Sequence, residues 1–282
     1  MISESELRRW AGEWSTDPML VDLDYVLGCF LSQWYREQAA QGLRFKGGTC
    51  LRKCYYPGYR FSEDLDFSAE SRISSGEIQA LVANTVAKVG DTFGIDLQAK
   101  PTRFELVDDE YGFESYLVRL YYRGPLRRGG DPRAIRIDIS QGEFLSFPAV
   151  KKEIIHPYGD RHLTAGVYLP CYDLREMMAE KLRALSGQRN YAISRDLFDV
   201  HQLLKREEPI LDAIQSVLPE KFAVKNVPLS NLKPDYLITR KDEFELDWER
   251  NLVHLIPSGE RTTFDQAWDT CLDAFDYLDS HS

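Results

Sequence analysis

The eight residues Phe61 to Ser68 (FSEDLDFS) constrain this chain more than any other stretch. Successive side chains of a strand point to opposite faces. Phe61, Leu65 and Phe67 therefore share one face with Glu63, and Ser62, Asp64, Asp66 and Ser68 share the other. One face suits a core and the other a polar site. Such a strand needs partners, and SYLVRLYYR (115–123) and AIRIDIS (134–140) alternate in the same way, separated by the loop-like GPLRRGGDP. Around them the spacing predicts helices over 19–42, ending at Gly42, and over 75–93, with LRFKGG as a short strand entering a glycine turn and TCLRKCYY as a helical turn. From residue 171 the texture becomes helical, in DLREMMAEKLRALSGQ, SRDLFDVHQLLKRE and FDQAWDTCLDAFDYLDS. The pattern predicts an α+β region over 1–170, a mixed sheet with flanking helices, followed by a mainly helical domain over 171–282.

Two carboxylates two residues apart on a strand stand roughly 6.5 Å apart, and at an effective dielectric near 20 they repel by about 2.5 kcal/mol unless a cation sits between them. Asp64 and Asp66 are such a pair. The spacing alone is weak, since acid-x-acid pairs arise by chance; Asp22-x-Asp24 reads as acids in the first turn of the 19–42 helix, where they favour its dipole. A third acid strengthens the case. In AIRIDIS the isoleucines share a face and Arg136, Asp138 and Ser140 the other, so Asp138 is expected to join Asp64 and Asp66 across neighbouring strands. Three convergent aspartates are able to hold two Mg2+ ions about 4 Å apart, the arrangement that clamps a triphosphate and stabilises a leaving pyrophosphate. The bland reading of Asp138 is a strand-end acid paired with a nearby arginine.

Upstream, Lys46-Gly47-Gly48-Thr49 joins a strand to a helix. Paired glycines let the backbone approach phosphate oxygens, and helix N–H groups with the Thr49 hydroxyl supply donors; the alternative is a plain turn. The net charge, 35 − 45 = −10, excludes a general nucleic-acid coat, so a polyanion would have to meet a local basic patch or bridging metal. Arg123, Arg127, Arg128, Arg133 and Arg136 form the best such patch, with a solvated hairpin tip as the alternative. The five cysteines are expected to be thiols in a reducing compartment, with no paired spacing that completes a zinc site. No apolar run reaches the length of a bilayer span and the start, MISESELRRW, lacks signal-peptide character, so the chain is expected in the cytoplasm, away from membranes.

FKGGTCLRKCYYPGYRFSEDLDFS resembles the first motif of the AbiEii/AbiGii toxin family, nucleotidyltransferases of the polymerase β-like superfamily, and AEKLRALSGQRNYAISRDLFDVHQLL is similar to that family's second signature. With IRIDIS and the closing helix the likeness spans roughly 20–275. The resemblance implies a polymerase β-like core and metal-dependent transfer of a nucleotide from an NTP to an acceptor. The metal would be Mg2+, or Mn2+ in its place, and tRNA is a known acceptor class. It also implies an antitoxin encoded nearby, in a toxin–antitoxin or abortive-infection setting. Carried over, Asp64 and Asp66 match the metal-binding pair, Gly48 and Thr49 the Gly-Ser/Thr that opens the motif, with Thr in place of Ser, and Lys181 and Asp196 a lysine and an aspartate used in activity.

Helical geometry bears on the later motif independently. Leu174, Met177, Met178, Leu182 and Leu185 form one stripe and Lys181 falls inside it, so either its stem packs there while the ammonium emerges, or the helix covers a nucleotide cleft and Lys181 reaches a phosphate. On the next helix Asp196 lies beside the core stripe and Asp199 is expected further out, with Arg195 and Asp199 as supports or as members of a surface ion-pair network. His201 reads as a satisfied core histidine; His156 and His162 lack metal-like spacing. Ser62, expected on the carboxylate face, joins Lys46, Gly47, Gly48 and Thr49 as a candidate nucleotide-binding residue, and would carry blocking charge beside the metal site if phosphorylated. Other readings stay open: a non-catalytic nucleotide- or partner-binding module of the same fold, or transfer to a protein or small molecule. A haloacid-dehalogenase-type phosphatase also uses Asp-x-Asp, but after a continuous apolar strand that Arg60, Ser62 and Glu63 interrupt here.

Overall fold

The computed structural model describes residues 1–108, 114–126, 129–207 and 209–281. They form two compact units. One comprises Met1–Glu143, Ala149–Cys171 and Leu255–Glu260, the other Phe144–Pro148, Tyr172–His254 and Arg261–Ser282. The architecture is α+β, a mixed sheet with flanking helices and then a helical C-terminal region.

In the first unit the described strands β1 (Leu43–Lys46), β2 (Asp64–Ala69), β3 (Arg103–Asp108), β4 (Glu114–Tyr122), β5 (Arg133–Ser140), β6 (Val150–Glu153) and β7 (Tyr168–Cys171) form one sheet in the order β3-β4-β5-β2-β1-β7-β6. Strand β2 is central, antiparallel to β1 and parallel to β5. Its inward face carries Leu65 and Phe67, flanked by Phe45 and by Ile135, Ile137 and Ile139, all buried as the alternation predicts. Helices α1 (Glu4–Trp14), α2 (Pro18–Trp34), the short α3 (Gly47–Cys50) and α4 (Ser75–Phe93) complete the unit.

Helix α2 opens with Asp17 as its cap, accepting the Met19 N–H at 2.8 Å, and Pro18 in the first turn. It is buried on all sides from Leu20 to Trp34, as an apolar-all-round helix must be. Trp34 stacks on Phe67 with ring centroids 5.5 Å apart, so α2 covers the apolar side of β1 and β2, each large side chain buried there contributing about 1.5–3 kcal/mol. The helix is shorter than its spacing suggests. It stops at Trp34, and 38–42 is a 3-10 turn, because Gln41 Nε2 donates to the Tyr35 carbonyl (2.7 Å) while the Tyr35 hydroxyl donates to Leu43 O (2.7 Å), turning the chain into β1. Helix α4 has the predicted bounds, set by a capping box between Ser74 and Glu77 and by Gly94 at φ 68°.

The second unit holds α5 (Leu174–Arg183), α6 (Ser194–Arg206), α7 (Ile210–Ile214), α8 (Leu218–Ala223), α9 (Pro234–Ile238), α10 (Lys241–Asp247) and α11 (Phe264–Ser280). Phe198, Trp248, Phe264 and Trp268 pack successively, ring centroids 5.5–6.1 Å apart, into its aromatic core. The start of α6 lacks a side-chain cap of its own; Asp247 of α10 instead accepts from the Ser194 N–H and hydroxyl, each at 2.6 Å. Glu176 accepts from the N–H groups of Ser146 and Phe147 and pairs with buried Lys221, which explains why 144–148 groups with this unit. Among the described residues no helix is long and apolar enough to cross a membrane.

Candidate active site

The register of β1, β2 and β5 lines up one polar row: Lys46 opposite Asp66, and Asp66 opposite Asp138. Neighbouring strands are about 4.8 Å apart, so Asp66 and Asp138 stand side by side on the half-exposed face. Asp64 lies one pleat along, opposite Arg136, whose Nη1 is 3.5 Å from its Oδ1. That pleat, roughly 6.5 Å long, keeps the three carboxylates from closing to within 4.8 Å of one another. They share a face as a pair plus a neighbour. Carboxylate oxygens are hard donors of the kind Mg2+ takes, and the chain makes room for them: a Cβ at Gly47 would collide with Asp66 Oδ2, and φ +76° at Gly47 independently favours glycine. The donor set fits a divalent cation held by Asp66 and Asp138 with Asp64 beside them.

Gly48 serves a second close approach. A Cβ there would fall 2.5 Å from Arg60 Nη2, so the buried Arg60 guanidinium packs directly against the glycine turn. In the sequence Arg60 stands out only as a residue that interrupts the apolar run before Asp64. The Thr49 hydroxyl donates to the Asp64 carbonyl at 2.5 Å, which clips α3 onto β2; its proton is committed to the backbone rather than offered to a phosphate. Lys46 Nζ lies 2.7 Å from Glu143 Oε2, and Ser68 Oγ donates to the same oxygen at 2.6 Å, so Glu143 closes one end of the polar row without any motif announcing it. Ser62 departs from expectation: β2 begins at Asp64, so strand alternation does not reach Ser62, and its side chain is buried.

In the second unit Lys181 Nζ sits between two carboxylates of α6, 2.9 Å from Asp196 Oδ1 and 2.6 Å from Asp199 Oδ2, and Arg189 Nη1 reaches Asp196 Oδ2 at 2.7 Å. Asp199 is fully buried rather than pointing outward, because residues three apart on α6 both turn toward the lysine inside the apolar stripe. Burial alone would raise the Asp196 carboxyl, but Lys181 and Arg189 outweigh it and hold it well below the usual carboxylate range.

The family described as nucleotidyl transferase AbiEii toxin, type IV toxin–antitoxin system, has a model that matches residues 29–274. The chain belongs to the AbiEii family. Solved structures that share its fold include two from bacterial pathogens. One is JHP933 from Helicobacter pylori (19% identity, TM-score 0.56, 94% of each chain covered). The other is MenT4, a nucleotidyltransferase toxin from Mycobacterium tuberculosis (19% identity, TM-score 0.56, 99% of each chain covered). Among curated protein sequences none matches this chain significantly.

The remaining predicted positions of this AbiEii chain divide. Arg123 and Arg136 are exposed, whereas Arg133 turns inward, donating to the Met19 carbonyl at 2.5 Å and lying 3.5 Å from Glu63; Arg127 and Arg128 lie outside the described residues. The five arginines are thus not one uniform patch. His201 is half-buried, its Nδ1 2.8 Å from Thr270 Oγ1, rather than a core histidine. The largest correction concerns Asp22 and Asp24. Helix α2 has no acid in its first turn, and both aspartates are buried. Asp22 accepts the Leu126 N–H at 3.0 Å, pinning the arginine loop. Asp24 accepts from Arg52 Nε (2.6 Å), Lys53 Nζ (2.7 Å) and the Tyr158 hydroxyl (2.6 Å). Arg52 stacks over Phe61, 3.7 Å from the ring centroid, which ties the turn after α3 to the approach to β2. Burial pushes the Asp24 carboxyl up, but Arg52 and Lys53 more than reverse it, leaving it well below the ordinary range.

Proposed function

We propose that this chain acts as a toxin that moves a nucleotidyl group from an NTP to the 3′ end of tRNA, with Asp66 and Asp138 holding Mg2+ and Asp64 beside them on the same face. The observation that carries the reading is the register that sets Asp66 beside Asp138 on the polar face of the sheet, next to a glycine turn shaped around Asp66 and Arg60. In the reaction the acceptor hydroxyl oxygen bonds to the α-phosphorus, the bond to the β-phosphate oxygen breaks, pyrophosphate leaves, and the hydroxyl proton passes to the carboxylate row. A bound divalent cation would supply charge neutralisation for the triphosphate and lower the pKa of the attacking hydroxyl. Lys46, Gly47 and Gly48 position the nucleotide, Thr49 holds their turn on β2 through its bond to the Asp64 carbonyl, and Arg60 lies behind them as a fixed positive charge. Of the five predicted arginines, Arg123 and Arg136 are exposed and would meet RNA phosphates. Lys181 and Asp196 are assigned roles in activity on the family motif. The partner is a cognate antitoxin, and the setting the cytoplasm.

Incubation with Mg2+, total tRNA and each labelled NTP in turn tests this, comparing the native protein with Asp64→Ala. Label on tRNA from the native protein, reduced on the order of 1,000-fold in Asp64→Ala and abolished by chelator, is expected. Equal labelling by both would remove the proposed site. Labelling of protein or a small molecule instead of tRNA would change the acceptor, and no transfer to any acceptor would favour a binding module.

A further inference from the structure

All five cysteines are free thiols, and three of them come together: Cys50, Cys54 and Cys171 are buried, with their sulfurs all within 4.8 Å of one another. The fold gathers them from distant sequence. Cys50 ends α3 and Cys54 follows four residues on, within the π-helical turn Leu51–Tyr55, so the two share a face. Cys171 closes β7, in register with Phe45 of β1, the strand that leads into α3. Three sulfurs bound to one ion at about 2.3 Å in a trigonal plane stand about 4.0 Å from one another, so the observed spacing needs only a sub-ångström adjustment. Among the described residues no histidine or carboxylate joins this group, which leaves the closed four-ligand shell of structural zinc incomplete. An all-thiol, three-ligand site selects a soft cation.

We propose that Cys50, Cys54 and Cys171 form a buried three-sulfur site for a soft, thiophilic monovalent cation, represented by Cu(I). On binding, Cu–S bonds replace S–H bonds and the displaced protons leave to solvent. Cys50 directly follows Thr49, so the loaded site braces the glycine turn Gly47–Thr49 from behind.

The test uses the full chain, reduced and anaerobic, titrated with Cu(I) against a chromophoric Cu(I) chelator, with thermal melting and X-ray absorption as further readouts. One equivalent withdrawn from the chelator, a melting temperature raised by several degrees and three sulfur neighbours around copper are expected. Cys171→Ser should weaken retention on the order of 100-fold or more, while Cys29→Ser and Cys271→Ser, outside the cluster, should leave it unchanged. Failure to withdraw Cu(I), a two-sulfur ion, or unchanged retention in Cys171→Ser would overturn the site. Should Cys171→Ser not fold, Cys54→Ser takes its place with the same expected loss, and if neither folds the sulfur count around copper in the native protein decides: any number other than three refutes the proposal.

Discussion

Each unit buries a charge cluster, and the two are built oppositely. Around Asp24 one carboxylate is shared by two cations and a tyrosine hydroxyl, all sealed from solvent. Around Lys181 one ammonium is shared by two carboxylates, and the cluster opens to water through Arg189, whose side chain is 37% exposed. A sealed cluster has no exchange with solvent and acts as scaffold: Asp24 holds the turn after the glycine loop. An open one exchanges with water. The difference shows that burial, and not membership of a motif, separates the two: Arg52 and Lys53 lie within the first motif, and Lys181, Arg189 and Asp196 within the second.

Breaking the sealed cluster should have the largest effect. Asp24→Ala leaves Arg52 and Lys53 buried without their carboxylate and is expected to cost about 3–5 kcal/mol, read as a lowered urea midpoint; a loss below 1 kcal/mol would mean that water reaches the cluster. Lys181→Met should cost about 2–4 kcal/mol, because Arg189 remains on Asp196 but the buried Asp199 loses the lysine. Its nucleotide transfer should nonetheless fall by 100-fold or more, measured at a temperature where the variant is fully folded. If activity fell only in proportion to the folded fraction, Lys181 would be scaffold like Asp24.

Acid should separate the units. His156 lies in the first unit against Gly28, with Nε2 3.0 Å from Asp160, and burial lowers its pKa below the usual histidine value. The unfolded chain therefore binds this proton at a higher pH than the folded one, so stability is complete above about pH 6.5 and falls as the pH drops, by at most about 1.4 kcal/mol per pH unit. His201 in the second unit shifts in the same direction, through burial and then Lys205, but half-exposed it is screened. Asp24 and Asp196, held low, keep their contributions until the pH falls below about 4. Amide protection factors, corrected for the intrinsic rate at each pH, should thus fall first around 153–160 between pH 7 and 5 and change little over 181–199; the reverse order would remove His156 as the sensitive group. The smallest effect belongs to Arg189→Gln, expected below about 1 kcal/mol because the pair is partly exposed. A larger loss in thermal melting would make the second cluster as closed as the first.

Much of the site was legible because strand alternation is local. The faces of β4 and β5, and of β2 from Asp64 onward, follow from a period of two, and the bounds of α4, α6 and α11 from apolar spacing. Thr49 illustrates the limit: its hydroxyl was foreseen as a phosphate donor, but the partner it takes is a carbonyl fifteen residues away. Glu143 and Arg60 carry no periodic signal, and Asp22 and Asp24 looked like ordinary first-turn acids until their partners, Leu126, Lys53 and Tyr158, were placed around them. The short strands β3, β6 and β7 escaped notice because they are stabilised by neighbours more than by composition.

By itself the sequence determined which side chains share a face: Asp64 with Asp66, Asp138 with Arg136, Lys181 within the α5 stripe. Backbone periodicity alone requires those groupings. Only the tertiary structure decided which faces meet. The parallel register of β2 and β5 placed Asp138 beside Asp66, and the pairing of β1 with β7 brought Cys171 to Cys50 and Cys54. Register and pairing arise from packing between segments far apart in the chain, which local periodicity does not encode.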